Sequence, residues 1–379
     1  MYKRQQYINI GGTYPFGNSN NPLKVPNASL GAMPAVDRTW ETIETYNAGI
    51  DFATLNNRLS GTFDYFIKDN KNMFYAEEFP TILGTSAPSI NGAHVRTNGW
   101  ELTLNWKDKI GKVGYRIGLN LSDNKTKVIS LSDSRNPGHG LMGFVEGYPT
   151  NSFFIYEFDG FIKDEADLAD YKTKMKGGVP TNLRVGDAKY VDKDGDGVLE
   201  PTLYKEGDPN SGDIVYKGTN NQRYLYGINL GLDWKGIDIS AFLQGVGKWD
   251  CINGTYAGGG EVWKQSSQYF YHNTWSPDRP NAEYPRLTQD GGIHGYNYQW
   301  SDAPYKFFNN RYLRLKEVQI GYTFPTTLTK KIGVEKLRVY ATGMNLLEWD
   351  NLPNGFDPEA PYTETVSYTH LRAHETAAN

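Results

Sequence analysis

Between residues 223 and 248, "RYLYGINLGLDWKGIDISAFLQGVGK", every second side chain is apolar. Tyr226, Ile228, Leu230, Leu232 and Trp234 share one face of a strand, and Gly227, Asn229, Gly231 and Asp233 share the other. The alternation resumes after Lys235-Gly236 at Ile237, Ile239, Ala241 and Leu243. A two-residue turn there pairs Trp234 with Ile237 and, in the same register, Leu232 with Ile239, Leu230 with Ala241 and Ile228 with Leu243. The opposite face sets Asp233 against Asp238, which is unfavourable unless water reaches it. Each arm runs about ten residues, the length that a tilted membrane strand needs.

The same pattern recurs along the chain. "YNAGIDFATLNNRLSGTFDYFIK" places Tyr46, Ala48, Ile50 and Phe52 before a turn near Asn56-Asn57, then Leu59, Gly61, Phe63, Tyr65 and Ile67. "TNGWELTLNWKDKIGKVGYRIGLNLS" places Trp100, Leu102, Leu104 and Trp106 before Tyr115, Ile117, Leu119 and Leu121. "LMGFVEGYPTNSFFIYEFDGF" reads as two strands about a turn from Tyr148 to Asn151. Val318, Ile320 and Tyr322 precede a short link after Pro325, followed by Leu337, Val339 and Ala341. The total is about ten strands in five hairpins.

The connections alternate in length. Links within hairpins are a few residues, whereas those between hairpins, near 69–94, 123–140, 163–222 and 249–305, are long. Compact soluble domains rarely repeat such excursions, but outer-membrane barrels combine short periplasmic turns with long extracellular loops. The expected fold is therefore all-β: a partial transmembrane antiparallel β-barrel. Its lipid-facing side would carry Ile228, Leu230, Leu232, Trp234, Ile239, Leu243, Leu102, Leu104 and Val339, in a band about 25 Å tall. Trp40, Tyr75, Trp106, Trp234 and Trp249 near strand ends suit an aromatic girdle. The rival reading is a secreted β-rich glycan-binding or glycan-cleaving protein, in which the apolar faces would be buried against a second sheet.

Composition narrows the choice. Of 379 residues, 27 are Tyr and 41 are Gly, a mix that favours strands and turns. No apolar run is long enough for a membrane helix, which says nothing against a barrel. A net charge of -4 gives no reason to invoke nucleic acid. With Cys251 as the single cysteine there is no internal disulfide and no cysteine metal cage.

The two ends, residues 1–5 ("MYKRQ") and 366–379 (containing "VSYTHLRAHET"), resemble translated sequencing-adapter DNA. They are set aside as artefacts, with 6–365 as the protein proper, and the expectation is a gene fragment cut on both sides.

Six stretches, in order, resemble the SusC/RagA family of TonB-dependent outer-membrane transporters of Bacteroidetes. They are "WETIETYNAGIDFATLNNRLSGTFDYFIKDNKNMFY", "RTNGWELTLNWKDKIGKVGYRIGLNLSDNKTKV", "VEGYPTNSFFIYEFDGF", "YLYGINLGLDWKGIDISAFLQGVG", "NTWSPDRPNAEYPRL" and "NNRYLRLKEVQIGYTFPTTLTKKIGVEKLRVYATGMNLLEW". The resemblance implies the C-terminal part of a 22-stranded barrel with an N-terminal plug. It also implies nutrient uptake across the bacterial outer membrane: import of oligosaccharide or peptide fragments, energised by the TonB complex, with a SusD-like surface lipoprotein over the mouth. The plug, the TonB box and the closing strand would lie outside this chain. No enzyme activity is expected.

Local chemistry is sparse. In "DKDGDGVLE", Asp192, Asp194 and Asp196 followed by Gly197 match the first half of a calcium loop. Alternate carboxylates can converge on a hard cation. Glu200 holds the ninth position, but the twelfth is Leu203 instead of a bidentate glutamate, so calcium in an extracellular loop is the one cofactor considered and binding is expected to be weak. "VGDAKYVDKDGDG" and "SGDIVYKGTNNQ" share the frame Gly-Asp-x-x-Tyr and read as a loop repeat with one degenerate copy. No catalytic residue emerges: there is no Gly-x-Ser-x-Gly elbow, and the histidines are scattered. The loop "VWKQSSQYFYHNTWSPDRPNAEYPRL" is the ligand candidate. Trp263, Tyr271 and Trp275 offer flat faces for sugar rings, and Asn273 and Arg279 offer hydrogen bonds. The competing reading, favoured by a Trp-Ser-Pro stretch that resembles family framework, is that these aromatics pack the loop on itself or on the partner lipoprotein.

Overall fold

A computed structural model describes residues 8–16, 23–30, 38–76, 89–132, 137–209, 211–252, 273–352 and 357–359. Strands β1 (Ile8–Phe16) and β2 (Leu23–Leu30) form a separate two-stranded sheet. Then come β3 (Thr42–Thr54), β4 (Leu59–Ala76), β5 (Ser89–Ile110) and β6 (Val113–Leu131). A first insert holds β7 (Gly140–Met142), β8 (Ser152–Tyr156), β9 (Phe158–Phe161), helix α1 (Glu165–Lys174), β10 (Ala188–Tyr190) and β11 (Ile214–Thr219). The hairpin β12 (Arg223–Trp234) and β13 (Ile237–Lys248) follows. A second insert holds β14 (Asp250–Ile252), helix α2 (Gly291–Asn297) and β15 (Phe307–Asn309). Strands β16 (Tyr312–Thr323) and β17 (Arg338–Asp350) complete the order.

Eight strands form one antiparallel sheet in the order β3-β4-β5-β6-β12-β13-β16-β17. Among the described residues it does not close on itself, and β3 and β17 are its edges. The β12–β13 register pairs Trp234 with Ile237, Leu230 with Ala241 and Ile228 with Leu243, as the alternation predicts. One row of opposed residues crosses the whole sheet: Phe52, Gly61, Leu104, Leu119, Ile228, Leu243, Leu315 and Leu347. That row lies beside the short turn in β4 but near the insert end of β16, the stagger that a tilted barrel wall requires.

Short connections all fall at one end. The β3–β4 turn is made by Leu55, Asn56 and Asn57 with φ of 54, 56 and 60°, and the β12–β13 turn by Lys235 and Gly236 with φ of 46 and 89°. Asparagine and glycine tolerate that left-handed backbone best. Both long inserts emerge at the other end.

The apolar side of the sheet is uncovered. Leu230, Leu232, Trp234 and Val339 are exposed by 40, 38, 42 and 58%, and Ile228, Leu102, Leu104, Ile239 and Leu243 are half-buried. Both buried hydrophobic clusters lie in the inserts, with none beneath this sheet among the described residues. The other face is polar and internally paired: Arg116 reaches Asp233 at 3.0 Å, and Arg338 Nε donates to Asp238 at 3.1 Å.

The structure differs from the sequence pattern in three places. The strands run past the apolar band: β4 reaches Ala76 and β5 begins at Ser89, so much of 69–94 is strand. Those upper halves mix polar and apolar residues on both faces, which erases the period-two signal. The hairpin about Tyr148–Asn151 forms, but β7 and β8 belong to a three-stranded sheet with β11 inside the insert. The run Phe153-Phe154-Ile155-Tyr156 is buried on both faces, as a continuous apolar run dictates. The wall therefore takes four of the five hairpins. The β1–β2 hairpin, rich in Gly and Pro, carries too weak an alternation to be read. The adapter-like ends lie outside the described residues.

Candidate functional site in the long inserts

The two inserts fold into one body at the end of the wall opposite the short turns. The core of the first collects Phe154, Tyr156, Ile162, Tyr190 and Ile214, and it takes Ile293 and Tyr296 from the second. Helix α1 starts at Asp164, whose carboxylate accepts from Asp167 N at 2.8 Å. Helix α2 starts at Asp290 in the same way. Leu168 and Tyr171 face inward from α1, and the Tyr171 hydroxyl meets that of Tyr296 at 2.9 Å. The Tyr190 hydroxyl donates to the carbonyls of Tyr296 and Asn297 at 2.9 and 3.1 Å. Buried tyrosines thus find partners for their polar ends, as the cost of an orphaned hydroxyl demands.

Two aspartates anchor the architecture, and both come from the Gly-Asp-x-x-Tyr frame. Asp187 is fully buried. It receives Arg286 Nη2 at 3.0 Å, Asn297 Nδ2 at 2.9 Å and the Arg184 amide at 2.7 Å, and Arg286 Nε lies 2.8 Å away. Asp213, also fully buried, accepts the amides of Lys193 at 2.6 Å and Glu200 at 2.7 Å, clamping both ends of the aspartate loop. Burial raises the Asp213 carboxyl above its usual range against the pull of those amides, and the nearby Asp192 and Asp194 charges add to the rise. The repeat was visible in the sequence, but burial of its aspartates was not.

Side-chain oxygens of Asp192, Asp194 and Asp196 lie within 4.8 Å of one another. Asp192 accepts the amides of Gly195 and Gly197, both at 2.8 Å, and Asp194 accepts that of Gly212 at 3.1 Å. Gly197 has φ +86°, and a Cβ there would sit 2.7 Å from the Lys174 carbonyl oxygen, so the turn requires glycine. The loop therefore closes on its own amides while its carboxylates converge. Leu203 is drawn away into a bridge with Ile214 and packs on the core. A cleft of about 570 Å³ opens between this loop and α1, lined by Asp159, Asp167, Asp170, Lys189 and Asp192 among others. Nearby, Lys193 and Lys217 hold Glu157 at 2.7 and 2.6 Å, keeping its carboxyl below the usual range, and Lys217 also reaches Asp302 at 2.8 Å.

Of the aromatic-loop candidates, Trp263 and Tyr271 lie outside the described residues. Asn273 and Trp275 form a short extended pairing: the Tyr284 amide donates to the Asn273 carbonyl at 3.0 Å, and the Trp275 amide to the Tyr284 carbonyl at 2.8 Å. The Trp275 ring covers Gly186, where a Cβ would collide with it. The Arg279 amide closes a turn on the Ser276 carbonyl at 2.8 Å, and its Nε meets Ser276 Oγ at 3.2 Å. These described members hold the insert together.

No family model matches the chain. It is similar to TonB-dependent receptor P3 of Formosa agariphila, 28% identical over 337 residues, covering 85% of this chain and 31% of the relative. It is also similar to the TonB-dependent receptor SusC of Bacteroides thetaiotaomicron, 24% identical over 387 residues, covering 94% of this chain and 33% of the relative. Among solved structures, the RagAB peptide transporter shares the fold with a TM-score of 0.66 at 21% identity, covering 94% of this chain and 36% of that one. The chain spans about a third of the length of the curated relatives that it matches. Strand order, stagger, one-sided inserts and sequence likeness together make the chain similar to a stretch of β-barrel wall, with its inserts, of TonB-dependent outer-membrane transporters of the SusC/RagA type.

Proposed function

We propose that the chain supplies part of the wall and mouth of a transporter that imports oligosaccharide or peptide fragments with TonB-derived energy. The face of Ile228, Leu230, Leu232, Trp234, Ile239, Leu243, Leu102, Leu104 and Val339 contacts outer-membrane lipid, and the opposite, ion-paired face lines the passage. The inserts meet substrate and a SusD-like lipoprotein over the mouth. The observation that carries this reading is the uncovered apolar face on a staggered wall whose long inserts share one end. A secreted glycan-binding protein would bury that face.

The test uses the full-length transporter with single cysteines at Leu230 and at its strand neighbour Asn229, each carrying a fluorophore in reconstituted membranes. A lipid-borne quencher should act on position 230, and a water-soluble quencher on position 229. Equal quenching at both sites, or a reversed pattern, overturns the reading. Growth of a deletion strain on defined oligosaccharides against defined peptides then separates the substrate classes.

Calcium is the cation that the converging Asp192, Asp194 and Asp196 carboxylates would select, with an affinity on the order of millimolar because position 203 lacks the bidentate ligand. Calcium, and not magnesium, should raise the thermal midpoint of the full-length protein, and Asp194→Asn should abolish the shift. An equal response to both ions dismisses the site.

A further inference from the structure

Beyond the apolar band, the outward face of the wall changes character along one register row. Glu44, Asp69, Arg96 and Lys127 lie directly opposite one another across β3, β4, β5 and β6. The β5–β6 register is unbroken from Arg96 to Ile110, so Arg96 and Lys127 share the face of Leu102, Leu104 and Trp106. One row nearer the band, Lys125 lies opposite Asn98, and the next row sets Asp123 opposite Trp100.

The acids of this border are all paired. Lys71 holds Glu44 at 2.7 Å, Arg96 and His94 hold Asp69 at 2.9 and 2.8 Å, and Arg223 holds Asp123. Lys125 and Lys127 are exposed and have no acidic partner among the described residues. Like charges placed opposite one another on one face of a sheet repel. Asp69 offsets Arg96, so the uncompensated charges are Lys125 and Lys127, two residues apart on one face, and an external anion seated between them and the outer edge of Arg96 would relieve their repulsion.

We propose that Arg96, Lys125 and Lys127 dock a phosphate group of an anionic glycolipid headgroup in the outer leaflet. The proposal rests on the reading that the apolar band of the same face contacts lipid. Lys125 and Lys127 stand two and four residues beyond Asp123, roughly 5–10 Å above that row on a tilted strand, where headgroup phosphates meet the wall. The face points away from the polar lumen side, which excludes a solute in transit. Ammonium and guanidinium donors form charge-assisted bonds to phosphate, and flexible lysine stems let both heads converge. Trp100 and the adjoining apolar row at Leu102–Leu121 offer the acyl chains a surface that free phosphate could not use.

The test is retention of bisphosphorylated lipid A by the full-length transporter, purified from nanodiscs and read by native mass spectrometry, against retention of the dephosphorylated glycolipid. Wild type should retain the phosphorylated form several-fold more. Lys125→Gln with Lys127→Gln should bring it down to the dephosphorylated level, and Lys109→Gln with Lys112→Gln at the short-turn end should leave it unchanged. Equal retention by the wild type and the 125/127 variant overturns the proposal, as does release of the glycolipid by inorganic phosphate at matched concentration. Failure of the wild type to enter nanodiscs at all would instead overturn the lipid-contact reading beneath it.

Discussion

Asp233 and Asp238 face one another across the β12–β13 hairpin, and each is neutralised by an arginine from a different strand. Arg116 on β6 binds Asp233, while Arg338 on β17 crosses over β16 to bind Asp238 and donates to Gln319 Oε1 at 2.8 Å on the way. The crossing is feasible because residue 321 is glycine: a Cβ there would lie 2.5 Å from Arg338 Nη2 and 2.8 Å from Asp238 Oδ1. Gly231 makes the same room beneath Arg116. Two carboxylates that the sequence sets in repulsion thus become the centre of a polar ladder spanning β6 to β17.

Gly321→Val should break this ladder more thoroughly than Arg338→Gln does, because the added side chain displaces both the guanidinium and the carboxylate. The measurement is the thermal midpoint of barrel unfolding, read from heat-modifiable gel mobility. Arg338→Gln retains one donor to the face and should lower the midpoint less. A larger effect from Arg338→Gln would mean that the glycine serves something other than clearance.

The Asp187 hub makes a sharper demand. A fully buried carboxylate with Arg286, Asn297 and a backbone amide as partners leaves an uncompensated charge when one side is removed. Asp187→Ala should destabilise the inserts by about 3–5 kcal/mol. The double variant Asp187→Leu with Arg286→Met removes both charges and should recover much of that loss. Protease resistance of the inserts reports both. If the double variant fares worse than Asp187→Ala, the hub does not act as a charge pair.

How much of this could be read beforehand follows the physics of each region. The lower wall was legible to the residue, since one face is apolar and the other polar, and a slip of one position would exchange them. Trp234–Ile237 and Leu232–Ile239 pair as the alternation demands. The upper wall was not legible, because Asp69, Asn70 and Lys71 give no contrast between faces. In the inserts the chain folds around buried tyrosines and the aspartates 187 and 213, whose partners lie as far away as Asn297. Local periodicity holds no trace of such contacts. The Asp-Gly loop showed its convergence but not its anchoring at Asp213.

Cys251 should be chemically silent in the folded protein. It is buried, and burial together with the neighbouring Asp250 pushes its thiol up to about 12. The thiolate is the reactive form, so at pH 8 maleimide-type labelling should run about a thousandfold slower than for an open cysteine. Labelling should become complete in denaturant. Rapid modification of the native protein would show that β14 opens readily, contrary to its pairing of Cys251 with Phe308.

Lys306 carries the clearest pH dependence. It is buried in the inserts, its ammonium lies 5.9 Å from the centre of the Trp300 ring, and burial lowers its pKa to about 8 from 10.5. A lowered lysine pKa means that the folded state holds fewer protons than the unfolded state between those two values. Stability therefore rises with pH from about 8 towards 10.5, and below 8 the charged form costs up to ~3 kcal/mol. Lys306→Met keeps the stem and removes the charge. It should raise the thermal midpoint at pH 7 and flatten its increase between pH 8 and pH 10. If the variant and the wild type show the same slope over that range, Lys306 is solvated in the folded protein and its burial has no energetic consequence.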